Sequence, residues 1–202
     1  MTKLEEYIKN ETIDLVIWDF DGVIFDLDWY YQNSPSEFLE QLYFKIASID
    51  ESIINDKIEF ISRKFPYPEL NEVGVRFGRE VQSEVKSLYL NKEMAAVDRA
   101  IPHEEIIDFI NRLNKPQVVW SNNYSNTIIY LLEKAGIDKK IKFFTSLDKV
   151  LLSKPDCEGF NLIQSKYPNI KKENILLIGD SLVSDKVAAE NCGIKFFHYK
   201  KS

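Results

Sequence analysis

The chain has no apolar run near the roughly twenty residues that cross a bilayer, no block of basic residues, and only two cysteines. The first absence excludes a membrane-spanning helix. The second, with a formal net charge of -6 over 202 residues, argues against a nucleic-acid or anionic-membrane surface; the Lys200-Lys201 pair is too short to count. Cys157 and Cys192 have no metal-ligand spacing and no partner cluster, so they read as reduced thiols of a cytoplasmic protein, with Cys192 a small buried filler. Met1 to Asn10 is charged and lacks the apolar segment of a signal peptide. There is no internal repeat and no low-complexity linker. What is present is the composition of an ordinary soluble globular protein, long enough for one good core or for a core with a small insert.

The most informative stretch is Asp19-Phe20-Asp21-Gly22-Val23. It follows the apolar run Leu15-Val16-Ile17-Trp18, which reads as a buried strand. Side chains at i and i+2 of an extended segment point to the same side, so the strand ends on two converging carboxylates. These repel each other, and desolvation worsens the repulsion. A cation between them relieves it, and hard oxygen ligands of this kind suit Mg²⁺, which leaves room for a substrate phosphate. Gly22 lets the backbone turn sharply and approach a ligand. Taken alone, the two acids could equally open a turn.

The organisation of the rest gives that stretch its context. Thr2-Lys3-Leu4-Glu5 resembles a capping box for a short first helix. From Ile24 to about Ala100 the pattern is helical, with no convincing strand. Ser34-Pro35-Ser36-Glu37 is a helix start, followed by Phe38, Leu39, Leu42, Phe44 and Ile46. Ile53, Ile54, Ile58 and Ile61 give a second helix. Pro66 and Pro68 break the chain. Val73, Phe77, Val81, Val85 and Leu88 give a third, with Gly74 and Gly78 against it. Strands and helices then alternate: a helix over 102–113, a strand at 118–120, a helix over 125–135 closed by Gly136, a strand at 141–144, a helix over 157–167, a strand at 175–178, a helix over 184–191 and a strand at 194–197. The expected fold is α/β: a Rossmann-like parallel sheet with helices on both faces, plus an all-helical cap insert. Residues 1–23 and 101–202 would form the core and 24–100 the cap. Ligands of such sheets bind beyond the carboxyl ends of the strands.

Three further strand ends carry polar residues. Val118-Val119-Trp120 runs into Ser121-Asn122-Asn123, ahead of a helix whose N–H groups and dipole favour a phosphate; a simple N-cap is the alternative. Lys154-Pro155 precedes the next helix, where the lysine could neutralise a phosphate. The strand at 175–178 runs into Gly179-Asp180-Ser181, with Asp185 about one helical turn on.

In this order and at these distances, the four stretches resemble the haloacid dehalogenase superfamily of phosphohydrolases. The first motif is Asp19 to Val23, extended by Ile24-Phe25-Asp26; the second is Ser121-Asn122; the third is Lys154-Pro155. The fourth is Gly179-Asp180-Ser181 through Asp185, followed by Val187-Ala188-Ala189 and Cys192-Gly193-Ile194. The likeness covers the chain outside the insert, and the insert resembles the cap of one large subgroup. It implies that Asp19 is a nucleophile forming an aspartyl-phosphate. Asp21 would be the acid for the leaving oxygen and then the base for water. Mg²⁺ would be held by Asp19, the backbone carbonyl of Asp21 and Asp180. Ser121 and Asn122 would hold the phosphoryl group, and Lys154 would bridge Asp19 and the phosphate. Gly22 and Ser181 would support the site, and Asp185 would orient Lys154 or a metal-bound water.

The expected activity is hydrolysis of a small phosphorylated metabolite. Dehalogenases of the superfamily lack an equivalent of Asp21, since a halide needs no proton. A phosphomutase of a sugar phosphate shares the core and is the alternative, with a non-catalytic binding protein behind it. Phosphonate cleavage would need a cap lysine, and Lys45, Lys57 and Lys64 are not marked out for that role. Trp29, Tyr30, Arg76 and Arg79 are candidates for substrate choice, the arginines as clamps on a second anion. The expected protein is a monomer or homodimer that binds neither nucleic acid nor membrane.

Overall fold

Leu15–Trp18 (β1) is buried at all four residues, and its alternate side chains enter opposite layers. Val16 and Trp18 belong to one apolar cluster, Leu15 and Ile17 to another, as a period-two strand covered on both faces requires. The computed structural model describes residues 3–27, 35–62 and 67–201. In it β1 lies between Gln117–Trp120 (β4) and Ile175–Gly179 (β6), parallel to both. Phe144–Thr145 (β5) extends the sheet beyond β4, and Lys195–His198 (β7) extends it beyond β6, both in parallel. The strand order is β5-β4-β1-β6-β7. The chain therefore builds outward from β1 in one direction and then crosses to the other side, and β1 sits where the order reverses. Such a reversal opens a crevice at the carboxyl ends of the strands, and that is where the polar residues after β1, β4 and β6 emerge.

Helices cover both faces. On the face of Val16 and Trp18 lie Leu4 and Ile8 of Lys3–Asn10 (α1), Ile106 and Ile110 of Glu104–Arg112 (α5), and Ile128 and Leu131 of Ser125–Lys134 (α6). On the other face lie Phe160 and Ile163 of Glu158–Lys166 (α7), and Ala188, Ala189 and Cys192 of Asp185–Cys192 (α8). The small residues of α8 let it lie close to β6. The helix ends at Gly193, whose φ of 71° is the left-handed conformation that glycine adopts readily.

Between β1 and α5 the chain forms Pro35–Asp50 (α2), Lys57–Ser62 (α3) and Tyr67–Ala96 (α4). Apolar residues of all three, among them Leu39, Leu42, Phe60, Leu70 and Val85, join the cluster on the α1, α5 and α6 face. The two ends of this helical stretch are not helical themselves. Phe25–Asp26 (β2) pairs antiparallel with Ile101–Pro102 (β3), so Phe25 and Asp26 form a strand within what the pattern reads as helix, and α5 starts at Glu104 rather than Pro102. The expected strand over 141–144 is shorter, at Phe144–Thr145. Helical spacing does not bury Phe44, which is 60% exposed. α4 is interrupted at Gly78, whose φ of 84° and ψ of 174° are not helical. Thr2, Trp29, Tyr30, Ser34, Lys64 and Pro66 lie outside the described residues.

The cysteines correct the reading of free thiols. Cys157 and Cys192 form a disulfide, with Cα atoms 5.8 Å apart. They are 35 residues apart in the chain, and only the packing of the start of α7 against the end of α8 brings them together. Among the described residues no helix is long and apolar enough to cross a membrane. Closing a loop of 35 residues restricts the unfolded chain by about 3–4 kcal/mol. Reduction with dithiothreitol is therefore expected to lower the urea midpoint by a corresponding amount, and Cys157→Ser with Cys192→Ser should match the reduced protein. An unchanged midpoint would exclude the bond in solution.

Candidate active site

The loops after β1, β5 and β6 converge on one ammonium group. Lys154 is 2% exposed; its Nζ lies 2.8 Å from Asp19 Oδ1 and 2.5 Å from Asp185 Oδ1. Asp19 directly follows β1, with its N–H donating to Ile178 O at 2.8 Å, and Asp185 opens α8. Burial alone would disfavour the ammonium, but Asp185 and Asp19 outweigh it and raise the lysine pKa. Asp180, after β6, completes the group: one carboxylate oxygen from each of Asp19, Asp180 and Asp185 lies within 4.8 Å of the others. Asp19 and Asp185 are buried and Asp180 is exposed, so the cluster opens to solvent at one side.

Three carboxylates against one ammonium leave an excess of negative charge. Burial, then the charge of Asp185, raise the Asp19 pKa well above the carboxylate range, Asp180 adds to the effect, and Lys154 only partly offsets it. Oxygen donors at this separation, with one flank open, fit a hard divalent cation such as Mg²⁺. Two glycines keep the space clear. A Cβ on Gly22, where φ is 82°, would lie 2.5 Å from Asp180 Oδ2, and one on Gly179 would lie 2.4 Å from Asp185 Oδ2. Ser181 N–H donates to Asp185 Oδ2 at 3.1 Å, fixing the carboxylate that holds Lys154.

The other residues singled out by the sequence are placed as follows. Asp21 Oδ1 accepts the N–H of Leu27 at 2.7 Å, just beyond the β2–β3 pair, so the start of the insert orients this carboxylate. The Asp21 carboxylate is not part of the three-acid group. Ser121 Oγ donates to Asn123 Oδ1 at 2.7 Å and accepts from Asn123 N–H at 3.0 Å. The carboxamide of Asn122 faces the third motif: Oδ1 accepts Lys154 N–H at 2.9 Å and Nδ2 donates to Lys154 O at 3.2 Å. Arg76 is exposed and pairs with Asp50 and Glu72. Arg79 is exposed and pairs with Glu158. Lys45 pairs with Glu84, and Lys57 lies over the rings of Tyr43 and Phe44.

Several residues near the site escaped the sequence reading. His103 Nδ1 lies 2.9 Å from Val23 O, and its Nε2 lies 3.0 Å from Asp26 Oδ1, tying the turn of the first motif to the end of the insert. The phenol of Tyr67, the first residue of α4, has its pKa raised by burial first, then by the charges of Tyr89, Glu93, Asp21 and Asp19. Gln82, Lys86 and Glu93 are buried polar residues of α4. They lie on the stripe that includes Val85, Tyr89 and Ala96, and a polar residue on an apolar stripe is the one signal that marks an internal hydrogen-bond partner.

A family profile described as haloacid dehalogenase-like hydrolase matches residues 16–199. Solved structures with a similar fold include a protein provisionally assigned as a phosphoglycolate phosphatase from Lactobacillus plantarum. It is 18% identical with a TM-score of 0.60, covering 92% of this chain and 85% of that one. A second, the provisionally assigned HAD-hydrolase YfnB from Bacillus subtilis bound to magnesium, is 18% identical with a TM-score of 0.59, covering 92% and 86%. A third, 2-haloacid dehalogenase from Pseudomonas syringae pv. Tomato DC3000, is 17% identical with a TM-score of 0.58, covering 93% and 86%. At these identities the likeness shows the fold alone. No curated protein matches the sequence.

Glu93 joins α4 to the loop after β4. Its Oε2 accepts the N–H of Tyr124 at 2.9 Å, with Asn123 and Thr127 as further partners. Burial raises its pKa from 4.5 to about 8, against these hydrogen bonds. Between those two values the folded protein holds a proton that the unfolded chain has released. The contribution of the neutral carboxyl is thus fully present below pH 4.5 and is lost as pH rises toward about 8. Glu93→Gln, which keeps the shape and cannot ionise, should flatten the fall of the urea midpoint over this window. Parallel pH profiles for wild type and variant would show that the carboxyl is not held neutral.

Proposed function

The chain belongs to the haloacid dehalogenase-like hydrolases, and from that membership and the site we propose a Mg²⁺-dependent phosphatase that hydrolyses a small phosphorylated metabolite through an aspartyl-phosphate. The observation that carries this reading is the buried Lys154 ammonium, 2.8 Å from Asp19 and 2.5 Å from Asp185, in a three-acid group with one open flank. A carboxylate held beside a fixed cation, at the solvent edge of a buried site, is suited to attack an anionic ester. The neighbouring structures include both a phosphatase and a dehalogenase by description, so the fold does not choose between them. Asp21 favours the phosphatase reading: an alkoxide leaving group needs a proton, and a halide does not.

In this reading the Asp19 carboxylate bonds to phosphorus as the ester P–O bond breaks. Asp21, oriented by the Leu27 N–H, gives its proton to the departing oxygen. It then takes one from the water that attacks the aspartyl-phosphate, and that attack releases inorganic phosphate and restores Asp19. Lys154 holds Asp19 in place and contributes positive charge beside the transferring group. Asp185 keeps the ammonium there. Ser121 and the backbone N–H groups ahead of α6 would face the phosphoryl oxygens. Mg²⁺ would be held by Asp19, Asp180 and the backbone carbonyl of Asp21, with Asp185 beside it, and when bound it supplies charge that screens the acids from the substrate.

The test is phosphate release from p-nitrophenyl phosphate and a panel of phosphorylated metabolites, with Mg²⁺ and with EDTA. Turnover is expected with Mg²⁺ only, abolished in Asp19→Asn and slowed by about 10²–10⁴-fold in Asp21→Asn. Isomerised sugar phosphate without free phosphate would identify a mutase instead. No Mg²⁺-dependent turnover across the panel would overturn the proposal.

A further inference from the structure

The segment that delivers Lys154 has no regular secondary structure, yet side chains answer most of its backbone polar groups. Glu158 accepts the N–H of Leu151 at 2.9 Å and of Leu152 at 2.6 Å. Asn122 takes both the N–H and the carbonyl of Lys154. The remaining partners come from the insert. Lys86 Nζ donates to Leu147 O at 2.8 Å and to Val150 O at 2.6 Å. Gln82 Nε2 donates to Leu151 O at 2.8 Å, and also to Leu70 O at 2.8 Å across the break at Gly78. A Cβ at Gly74 would lie 2.4 Å from this same Nε2 and 3.0 Å from a methyl of Leu151, so a glycine is what lets the amide reach the loop.

Asn71, one turn into α4, completes the set. Its Oδ1 accepts the N–H of Ser153 at 3.0 Å and the Ser153 hydroxyl at 2.8 Å, and its Nδ2 donates to Ser153 O at 3.2 Å. Two asparagines thus clasp consecutive residues: Asn71 from the insert holds Ser153, and Asn122 from the core holds Lys154. We propose that Asn71 is a positioning residue, which makes the docking of α4 a condition for the Lys154 ammonium to stand between Asp19 and Asp185. Buried backbone N–H and carbonyl groups must be satisfied. A loop that loses three hydrogen bonds at residue 153 relaxes toward other partners, and the lysine that follows moves with it. The inference rests on the phosphatase reading for the consequence of that movement. The grip of Asn71 on the loop does not depend on it.

The experiment compares Asn71→Ala with Val73→Ala, which trims a buried apolar side chain of the same helix and removes no hydrogen bond to Ser153. With Mg²⁺ and p-nitrophenyl phosphate, Asn71→Ala should lower kcat by roughly tenfold or more with KM within about twofold, and Val73→Ala should leave kcat within about twofold. Asn71→Asp keeps the oxygen that accepts the Ser153 N–H and hydroxyl, and it should recover most of kcat. If Asn71→Ala does not fold, Asn71→Ser, whose hydroxyl is too short to reach the Ser153 backbone from α4, is the test variant, with a kcat below that of wild type expected and an unchanged kcat counting against the proposal. Backbone hydrogen exchange is the second readout: the amides of residues 151–154 should exchange faster in Asn71→Ala than in Val73→Ala. Equal losses of kcat in the two variants, or unchanged exchange at these amides, overturn the proposal. Absent wild-type turnover with faster exchange in Asn71→Ala would instead retain the grip on the loop and overturn the phosphatase reading.

Discussion

One buried ammonium decides how this site is built. Lys154 carries its charge into an interior where it would be unstable alone, and the partners that hold it there, Asp19 and Asp185, would be equally unstable without it. Each member of the triad is therefore a reason for the others. They come from three separate stretches: the residue after β1, the loop between β5 and α7, and the first residue of α8. The parallel sheet is what makes the meeting possible, because it sends all of its strand ends to one edge, and the reversal of strand order at β1 opens space there. Adding Asp180 leaves an excess of negative charge that the lysine does not cancel; burial first, then the charge of Asp185, with Asp180 a smaller contributor, raise the pKa of Asp19. Without a further cation the site is electrostatically incomplete, and a divalent ion that fills that deficit would also screen the acids from an anionic substrate.

Holding the lysine requires more than its two acids. A side chain with four rotatable bonds stays in one place only if its backbone does. Around Lys154 that rigidity comes from three amides, a carboxylate and an ammonium turned onto a loop: Asn122 and Glu158 from the core, and Asn71, Gln82 and Lys86 from α4. Lys86 shows how far this goes. Burial, with Arg79 as a smaller contributor, lowers its pKa to about 8, and its two described hydrogen bonds are to loop carbonyls rather than to an acid. A buried lysine used in this way is a bracket for the loop, which is a different use of the residue from that of Lys154.

The sequence made the fold and the acids of the site legible for a simple physical reason. Apolar runs of three or four residues that end on Asp, Ser or Gly announce both a buried parallel strand and the edge where its chemistry lies, so β1, β4 and β6 and the residues after them could be read directly. Distance in the chain hid other features. Nothing in the spacing of Cys157 and Cys192 says that α7 and α8 bring them together. Two residues of antiparallel pairing, Phe25–Asp26 with Ile101–Pro102, carry too little pattern to be seen within a helical stretch. Residue type also stops short of naming the atoms used: Asn122 was visible as a polar residue at a strand end, but not that its carboxamide would turn away to clasp the backbone of Lys154. Glu93 and Asn71 were hidden because polar residues in a long helix normally face water, and only the packed structure shows which of them turn inward.

The character of the α4 interface bears on how the insert can work. A lid held by apolar packing alone can slide, since dispersion and burial are tolerant of small shifts. A lid held by buried hydrogen bonds to backbone has one register, because a shift of an ångström or two leaves donors and acceptors desolvated and unmatched. Along α4 two kinds of contact mix: Leu70, Val73, Val85 and Tyr89 are buried apolar contacts, while the half-buried Asn71 and the buried Gln82, Lys86 and Glu93 fix the alignment with the loops after β4 and β5. These hydrogen bonds define one register for α4 against the loops after β4 and β5. The same docking satisfies the loop that carries the lysine and the loop that precedes α6, so the shape of the insert and the charge geometry of the catalytic edge are set by one event. On the reading proposed above, that coupling would let a helical insert do more than cover a site: docking of α4 would also assemble the groups that act on a substrate.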